Sequence, residues 1–371
     1  MSAGGAIKMN DFAGEPETLR RAQLAACDRV LRSGWWILGR EVSAFESEWA
    51  AWLGAANAVG CANGLDAIEI GLRALGVGPG DEVITTSMTA FATVLAVIRA
   101  GATPVLADID PETAMLSTES VKRCIGARTK AILLVHLYGQ IGPVQELLRL
   151  AREHGLFLIE DCAQAHGAKW EGKSAGSFGD FAAWSFYPTK NLGAVGDGGA
   201  ITTSLPKLAE DARSIRNYGQ TVRYHHPLLG MNSRLDEIQA AILRERLGYL
   251  HAWVDRRREI ARRYIAEILH PKVRVMPLPR DQDRHAHHLF VVMSNRRDEL
   301  QRYLNHKQID SLIHYPIPVH FQEPCRKLSR DPEGLAHTEA HASSCLSIPC
   351  HPGLKDEEVE RVISAIAKFG A

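Results

Sequence analysis

Between Glu82 and Asp161 the chain reads EVITT (82–86), FATVLAVIRA (91–100), TPVLA (103–107), STESVKRCI (117–125), AILLVHL (131–137), QELLRLARE (145–153) and LFLIED (156–161). Short apolar runs rich in Val, Ile and Leu alternate with longer stretches whose apolar residues recur at helical spacing, and Gly101 and Gly155 stand where two of those helices must stop. Apolar runs of strand length are consistent with strands buried on both faces. Strands alternating with helices then argue for an α/β fold with a mostly parallel sheet covered on each side. Working outward, an Asn63-Gly64 turn precedes a helix over 67–75. Further strands are predicted over 181–186 and 200–203, and helices near 205–216 and 235–249. A long Arg-rich helix over 251–268 leads to a smaller α+β part with a strand over 288–293 and a closing helix over 357–367. The expected division is therefore 1–250 for the large domain and 251–371 for the small one.

At 371 residues the chain is long enough for such a pair of domains. Lys+Arg and Asp+Glu both number 43, so the chain is formally neutral and offers no global attraction to nucleic acid or to an anionic membrane. An anionic ligand must be held locally. No apolar run approaches a membrane span, and residues 1–10 have no signal-peptide core. The seven cysteines are scattered, with neither a disulfide framework nor zinc spacing, which fits a reducing cytoplasm.

Three fragments carry candidate chemistry. LFLIED ends an apolar strand with Glu160 and Asp161, and a carboxylate there is poorly solvated and needs a cationic or protonated partner. A helix cap or a structural ion pair accounts for such a carboxylate equally well. Ser185-Phe-Tyr-Pro-Thr-Lys-Asn191 follows another strand and runs into the Gly-rich stretch 193–199. A lysine held dry there becomes a nucleophilic amine, although most lysines simply face water. Asn63-Gly64-Leu65-Asp66 opens a helix, where backbone N–H groups suit a phosphate but also serve ordinary capping. The cluster Arg284-His-Ala-His-His288 fits no standard metal spacing, and no metal is expected.

Read together and in order, these fragments resemble the DegT/DnrJ/EryC1/StrS family of pyridoxal-phosphate (PLP) sugar aminotransferases. The resemblance runs from Ser33-Gly-Trp-Trp-Ile-Leu-Gly39 to the last helix, through Gly80–Ile84, Gly101–Asp110, His136–Gln140, Glu160–Gly167, Ser185–Asn191, Gly196–Gly199, Arg216–Gly219, Asn232–Glu237 and His314–His320. It implies a fold-type-I, aspartate-aminotransferase-like large domain with a smaller α+β C-terminal domain, and a homodimer with shared active sites. It implies that Lys190 carries PLP as a Schiff base, with pyridoxamine phosphate as the alternate form. Asp161 then pairs with the pyridine nitrogen, and Gln164 stands beside the phenolic oxygen. Ser185 and the backbone of Gly64 and Leu65 cradle the phosphate, and Asn232 reaches the phosphate of the neighbouring subunit's cofactor. Two positions depart from the family pattern: Ala90, often an aromatic that stacks on the cofactor ring, and Leu65, often Thr.

The family reaction passes an amino group from an amino acid, usually glutamate, to a ketosugar, usually attached to a nucleoside diphosphate. Tyr187 to Gly199 resembles members that act on 3-keto sugars. Tyr224, His225, Tyr315 and His320 are candidate substrate contacts, each equally well explained by packing or by a surface loop. The alternatives are a 4-keto nucleotide sugar, a non-nucleotide ketosugar such as an oxidised 3-deoxy-octulosonate, and a non-catalytic regulator or scaffold that kept the fold. A dehydratase relative would carry His at the place of Lys190.

Overall fold

The computed structural model describes residues 5–370. Its centre is an eight-stranded sheet in the spatial order 57–61, 199–203, 181–185, 157–161, 129–135, 82–86, 103–107 and 329–330. Every neighbouring pair is parallel except the two made by Gly199–Thr203, which runs against both of its neighbours. The exception follows from the connection. Residues 186–198 contain no helix to carry a crossover, so the chain turns back beside the strand it has just left. That return loop carries Lys190.

The strands are buried on both faces, as their unbroken apolar runs require. Ile132, Leu134 and Leu158 join one core with Phe45, Trp49 and Trp184. Their alternate neighbours Ala131, Leu133 and Ile159 join the opposite core with Ile68, Leu72 and Val97. The helices Gly64–Ala74, Phe91–Arg99, Thr118–Cys124, Val144–His154 and Pro206–Ile215 lie where the sequence periodicity puts them, within a few residues. Gly155 stops its helix in the left-handed conformation (φ 65°), which glycine adopts without steric cost.

The N-terminal elements are additions to the sequence reading. Helices Glu17–Ser33 and Arg40–Leu53 and the edge strand Asn57–Cys61 precede the first predicted element. The first helix buries only Leu19, Ala26 and Val30 and leaves Leu24 and Leu31 exposed, so its apolar stripe is thin. The second is fixed from outside, because the Glu237 carboxylate accepts from the N–H groups of Gly39, Glu41 and Val42.

Beyond residue 250 an antiparallel sheet of Arg274–Val275, Phe290–Met293 and Cys345–Ile348 packs with helices Arg297–His306 and Asp356–Ala367. The helix Leu250–Glu267 spans both cores, with Leu250 and Val254 in the large one and Ile260, Ala261 and Tyr264 in the small one. Two segments cross the division near residue 250. Ile7 bridges to Ile309 in the small core, and Ser329–Arg330 pairs with Val105 and Leu106 at the edge of the large sheet. Among the described residues no helix is long and apolar enough to cross a membrane.

Helix Gly64–Ala74 lies so close to the sheet that a Cβ on Gly71 would sit 2.2 Å from the ring of buried Phe181. Alanine outranks glycine in a helix interior by about 1 kcal/mol, whereas overpacking a closed core costs about 1–3 kcal/mol. Packing wins, and Gly71→Ala is expected to lower unfolding stability by about 1–2 kcal/mol in a urea titration. A variant as stable as the parent would show that Phe181 has room to move.

Candidate active site

The strand Phe157–Asp161 ends with two carboxylates, and strand geometry sends them to opposite faces. Glu160 is fully enclosed. Its oxygens accept from the N–H groups of Gly176, Phe178 and Gly179 and from His136 Nε2 at 2.9 Å. The Gly142 N–H donates to His136 Nδ1, which leaves the ring proton on Nε2, facing the carboxylate. Desolvation works to raise the Glu160 pKa, but His136 and the Gly179 and Gly176 amides outweigh it, and the net shift is downward. His136, Glu160 and Cys162 are the one group among the described residues with metal-ligand geometry, and Glu160 is already saturated by four donors. For Glu160 a structural role is therefore the right reading, with its charge held by hydrogen bonds from the His136 ring and three backbone amides.

Asp161 has a different environment. Among the described residues only two groups donate to its carboxylate: the Ala163 N–H to Oδ1 at 3.1 Å and the Thr93 hydroxyl to Oδ2 at 2.8 Å. Burial pushes its pKa up, and the Ala163 amide, the Thr93 hydroxyl and the charge of Lys190 oppose that rise. A carboxylate accommodates about four donors, so Asp161 keeps accepting capacity.

Lys190 lies in the return loop, whose turns are closed by the bonds Lys190 N–H to Tyr187 O, Ala194 N–H to Phe186 O and Phe186 N–H to Gly198 O. Gly193 has to be glycine, because a Cβ there would lie 2.3 Å from Pro188 O. Asn191 ties the loop down by donating to Ala286 O at 2.9 Å. Desolvation lowers the Lys190 pKa to about 8, and Asp161 opposes the shift. Three imidazoles, of His166, His288 and His314, are close enough to feel its charge and are themselves held neutral, chiefly by burial. They stood in quoted motifs, yet nothing in the sequence marked them as neighbours of the lysine.

The helix opening at Gly64 meets the ends of strands 181–185 and 199–203. A Cβ on Gly64 would lie 2.8 Å from Ser185 Cβ, and one on Gly199 would lie 2.4 Å from Asn63 O. Two glycines thus let backbone approach backbone and leave a shallow cradle. Asn63 caps the helix by accepting from Asp66 N–H at 2.8 Å, and Ala67 N–H bonds to Asn63 O. Among the described residues nothing accepts from the N–H groups of Gly64 and Leu65, and Ser185 packs against Gly64.

Gln164 and Tyr315 form the opposite wall. The Tyr138 N–H donates to Gln164 Oε1, which turns the amide NH2 toward the Tyr315 hydroxyl at 3.1 Å. Tyr138, in the left-handed region at φ 61°, also donates its hydroxyl to His314 O at 2.6 Å. Phe91, the aromatic next to Ala90, packs against the cluster of Val94, Leu106 and Val319.

The structure thus sets Asp161 near Lys190 and Tyr315, bonds Gln164 to Tyr315, and places Ser185 against Gly64. It does not place the other predicted residues with them in a single chain. Asn232 is exposed beside Asn217, and Tyr224 and His225 are exposed on the same surface loop. His320 is buried with both ring nitrogens engaged, by the Ser87 hydroxyl at 2.7 Å and by Glu339 at 3.2 Å, an arrangement that serves packing.

Comparison with known proteins agrees with this geometry. The model of the DegT/DnrJ/EryC1/StrS aminotransferase family matches residues 17–367. The dTDP-3-amino-3,6-dideoxy-alpha-D-galactopyranose transaminase of Aneurinibacillus thermoaerophilus is 47% identical over 345 residues, 93% of this chain and 94% of the relative. A protein of Geobacillus stearothermophilus named pleiotropic regulatory protein is 42% identical over 365 residues, 98% of each chain. The crystal structure of DesV from S. venezuelae in complex with a ketimine intermediate superposes with a TM-score of 0.95 at 43% identity, covering 99% of both chains.

Only the neutral form of an amine is a nucleophile, so the rate at which Lys190 couples to an aldehyde must rise with pH as the ammonium is lost. With PLP as the aldehyde, the pH–rate profile is expected to have its midpoint near pH 8, where burial places this lysine, instead of at the usual 10.5. Lys190→Ala removes the reaction. A midpoint near 10.5 in the parent would show a solvated lysine.

Proposed function

Because the chain belongs to the DegT/DnrJ/EryC1/StrS aminotransferase family, we propose that its cleft moves the amino group of an amino acid, L-glutamate in the first instance, to the third carbon of a nucleotide-linked 3-keto-deoxysugar. The observation that carries the chemistry is the pairing of Lys190, its amine held partly neutral, with Asp161, a buried carboxylate that still has room for a donor. The 3-keto assignment is supported by the relative whose name specifies a 3-amino sugar and by the resemblance carried by residues 187–199.

The enzyme is a PLP-dependent aminotransferase, and the cleft fits the cofactor. The glycine cradle leaves two N–H donors free for a phosphate at a helix start, and a formally neutral chain needs such a local site for a dianion. Gly64, Leu65 and Ser185 hold the phosphate, Asp161 keeps the ring nitrogen protonated, and Gln164 donates to the phenolic oxygen through the amide that Tyr138 has oriented. Bound there, PLP supplies an aldehyde that carries the amino group and a protonated ring that stabilises the carbanion of transamination. Lys190 is the amine that would hold that aldehyde, and as a free neutral amine it would take up and return the proton at the reacting carbons. Tyr315, adjoining Gln164, lines the acceptor side, and Tyr224 and His225 are further candidates for contact with the sugar, whereas the two engaged ring nitrogens of buried His320 leave it no group to offer.

We place two chains in the working enzyme, with Asn232 of each completing the phosphate site of the other. Trp35, Trp36, Tyr218, Leu228 and Leu229 are exposed in the single chain, an apolar surface that supports a partner. All seven cysteines are unpaired, which supports a cytoplasmic location. The relative named as a regulator supports a second reading as a non-catalytic protein. Such a protein has no need of Lys190, Asp161, Gln164 and Ser185, and all four are present.

The deciding experiment is the visible spectrum of the protein loaded with PLP, before and after L-glutamate. The Schiff-base band is expected to give way to that of pyridoxamine phosphate, and a nucleotide 3-keto sugar is expected to restore it faster than the 4-keto isomer. A band that ignores every amino acid overturns the aminotransferase reading, and restoration by the 4-keto sugar alone overturns the position. Shared sites have their own test. Mixed subunits of Lys190→Ala and Asn232→Ala, dissociated and reassembled together, are expected to exceed the activity of either variant alone, because one site of each hybrid is intact. A mixture no more active than the sum of its parents would place Asn232 outside its partner's site.

A further inference from the structure

The segment Thr89-Ala-Phe-Ala-Thr93 carries a threonine at each end, and only Thr93 touches Asp161 directly. It joins the strand Glu82–Thr86 to the helix Phe91–Arg99, with Ala90 at the helix start. Both threonines are buried. Thr93 Oγ1 donates to Asp161 Oδ2 at 2.8 Å, and Thr89 Oγ1 lies 2.8 Å from Thr93 Oγ1. A hydroxyl carries one proton. That of Thr93 is committed to the carboxylate, so Thr89 is the donor in the second bond. The two O–H dipoles point the same way, toward Asp161, and hydrogen bonds in series reinforce one another. The Ala163 amide meets the other carboxylate oxygen. The other titratable groups that sense Asp161 are Lys190, His136 and the adjacent Cys162, with Tyr315 on the facing wall.

We propose that Thr89 and Thr93 are positioning residues, two hydroxyls donating in series that orient Asp161 and hold it as an anion for the cofactor's ring nitrogen. The proposal rests on the reading of the cleft as a PLP site and adds how the acid of that site is kept charged. The competing role is packing at the start of the helix, where Thr93 N–H also bonds to Ala90 O. The two roles rank substitutions in opposite orders. Thr93→Val keeps the branched shape and loses the hydroxyl, whereas Thr93→Ser keeps the hydroxyl and loses the methyl group. If packing matters, Ser is the worse replacement. If the hydroxyl matters, Val is.

The test uses the full chain titrated with PLP and followed by visible absorbance across pH. Thr93→Val is expected to bind about 10- to 100-fold more weakly, the effect of losing one hydrogen bond to a charge. Its affinity is also expected to fail at a higher pH on acidification, because Asp161 without that donor takes up a proton sooner. Thr93→Ser is expected to stay near the parent on both measures, and Thr89→Val to fall between the parent and Thr93→Val. A Thr93→Val protein with the parent's affinity and acid limb overturns the proposal, as does a Thr93→Ser protein as weak as Thr93→Val. Should Thr93→Val fail to fold by circular dichroism, Thr89→Val decides: a shifted acid limb supports the proposal and an unshifted one overturns it. A parent chain that binds no PLP would instead overturn the reading of the cleft, before any variant is compared.

Discussion

The active end of the molecule depends on keeping one carboxylate charged at the dry end of a parallel strand. Removing an ionised group from water is expensive unless donors replace the water, and the strand Phe157–Asp161 presents that problem twice in succession. The two solutions differ. Glu160 receives four donors and is saturated, which makes it a fixed part of the scaffold. Asp161 receives two and faces a lysine. Its unfilled accepting capacity is what separates a reactive acid from a structural one. The alternation of a β-strand lets adjacent residues have these opposite fates without interfering.

Lys190 is in position for a topological reason. In a wholly parallel sheet the chain after Phe181–Ser185 would leave through a helix and take its loop away from the strand end. Here it returns at once as Gly199–Thr203, and the intervening residues fold back over the carboxyl edge beside Asp161. The same return brings Gly199 against Asn63 and, with Gly64 against Ser185, shapes the cradle at the helix start. One reversal of strand direction therefore sets the amine, the acid and the candidate phosphate site close together.

The sequence revealed the sheet better than the cleft. Strands such as Ile132–Leu134 and Leu158–Ile159 are buried on both faces, so burial alone dictates their composition and the pattern is readable without knowledge of the partner. Asn57–Cys61 lies at the edge and is built from Asn, Ala, Val, Gly and Cys, and so lacks that signal. The helix Glu17–Ser33 packs on a narrow line of three residues, too few to stand out. In the cleft, the positions of Lys190 and Asp161 after strands made them candidates, but position alone left a solvent-facing lysine and a structural carboxylate open, and the family resemblance supplied their roles. The three imidazoles around Lys190, the Tyr138 N–H that orients Gln164 and the hydroxyl of Thr93 were not legible. Each acts across a large sequence separation, and no local spacing records it.

The choice between enzyme and regulator is a matter of energetics. A half-buried lysine whose pKa is lowered by desolvation to about 8, set near a carboxylate whose own pKa has been raised, adds no stability that apolar side chains could not supply. Replacing buried charges with well-packed hydrophobic residues is often neutral or stabilising. The rest of the core shows that this chain packs apolar side chains well, from Trp49 and Trp184 on one face of the sheet to Phe181 against Gly71 on the other. A scaffold would gain by filling the position of Lys190 with a leucine and closing the glycine cradle. The strained chemistry at the strand end is explained by a reaction that needs a partly neutral amine and an ionised acid within reach of one ligand, and transamination has both requirements.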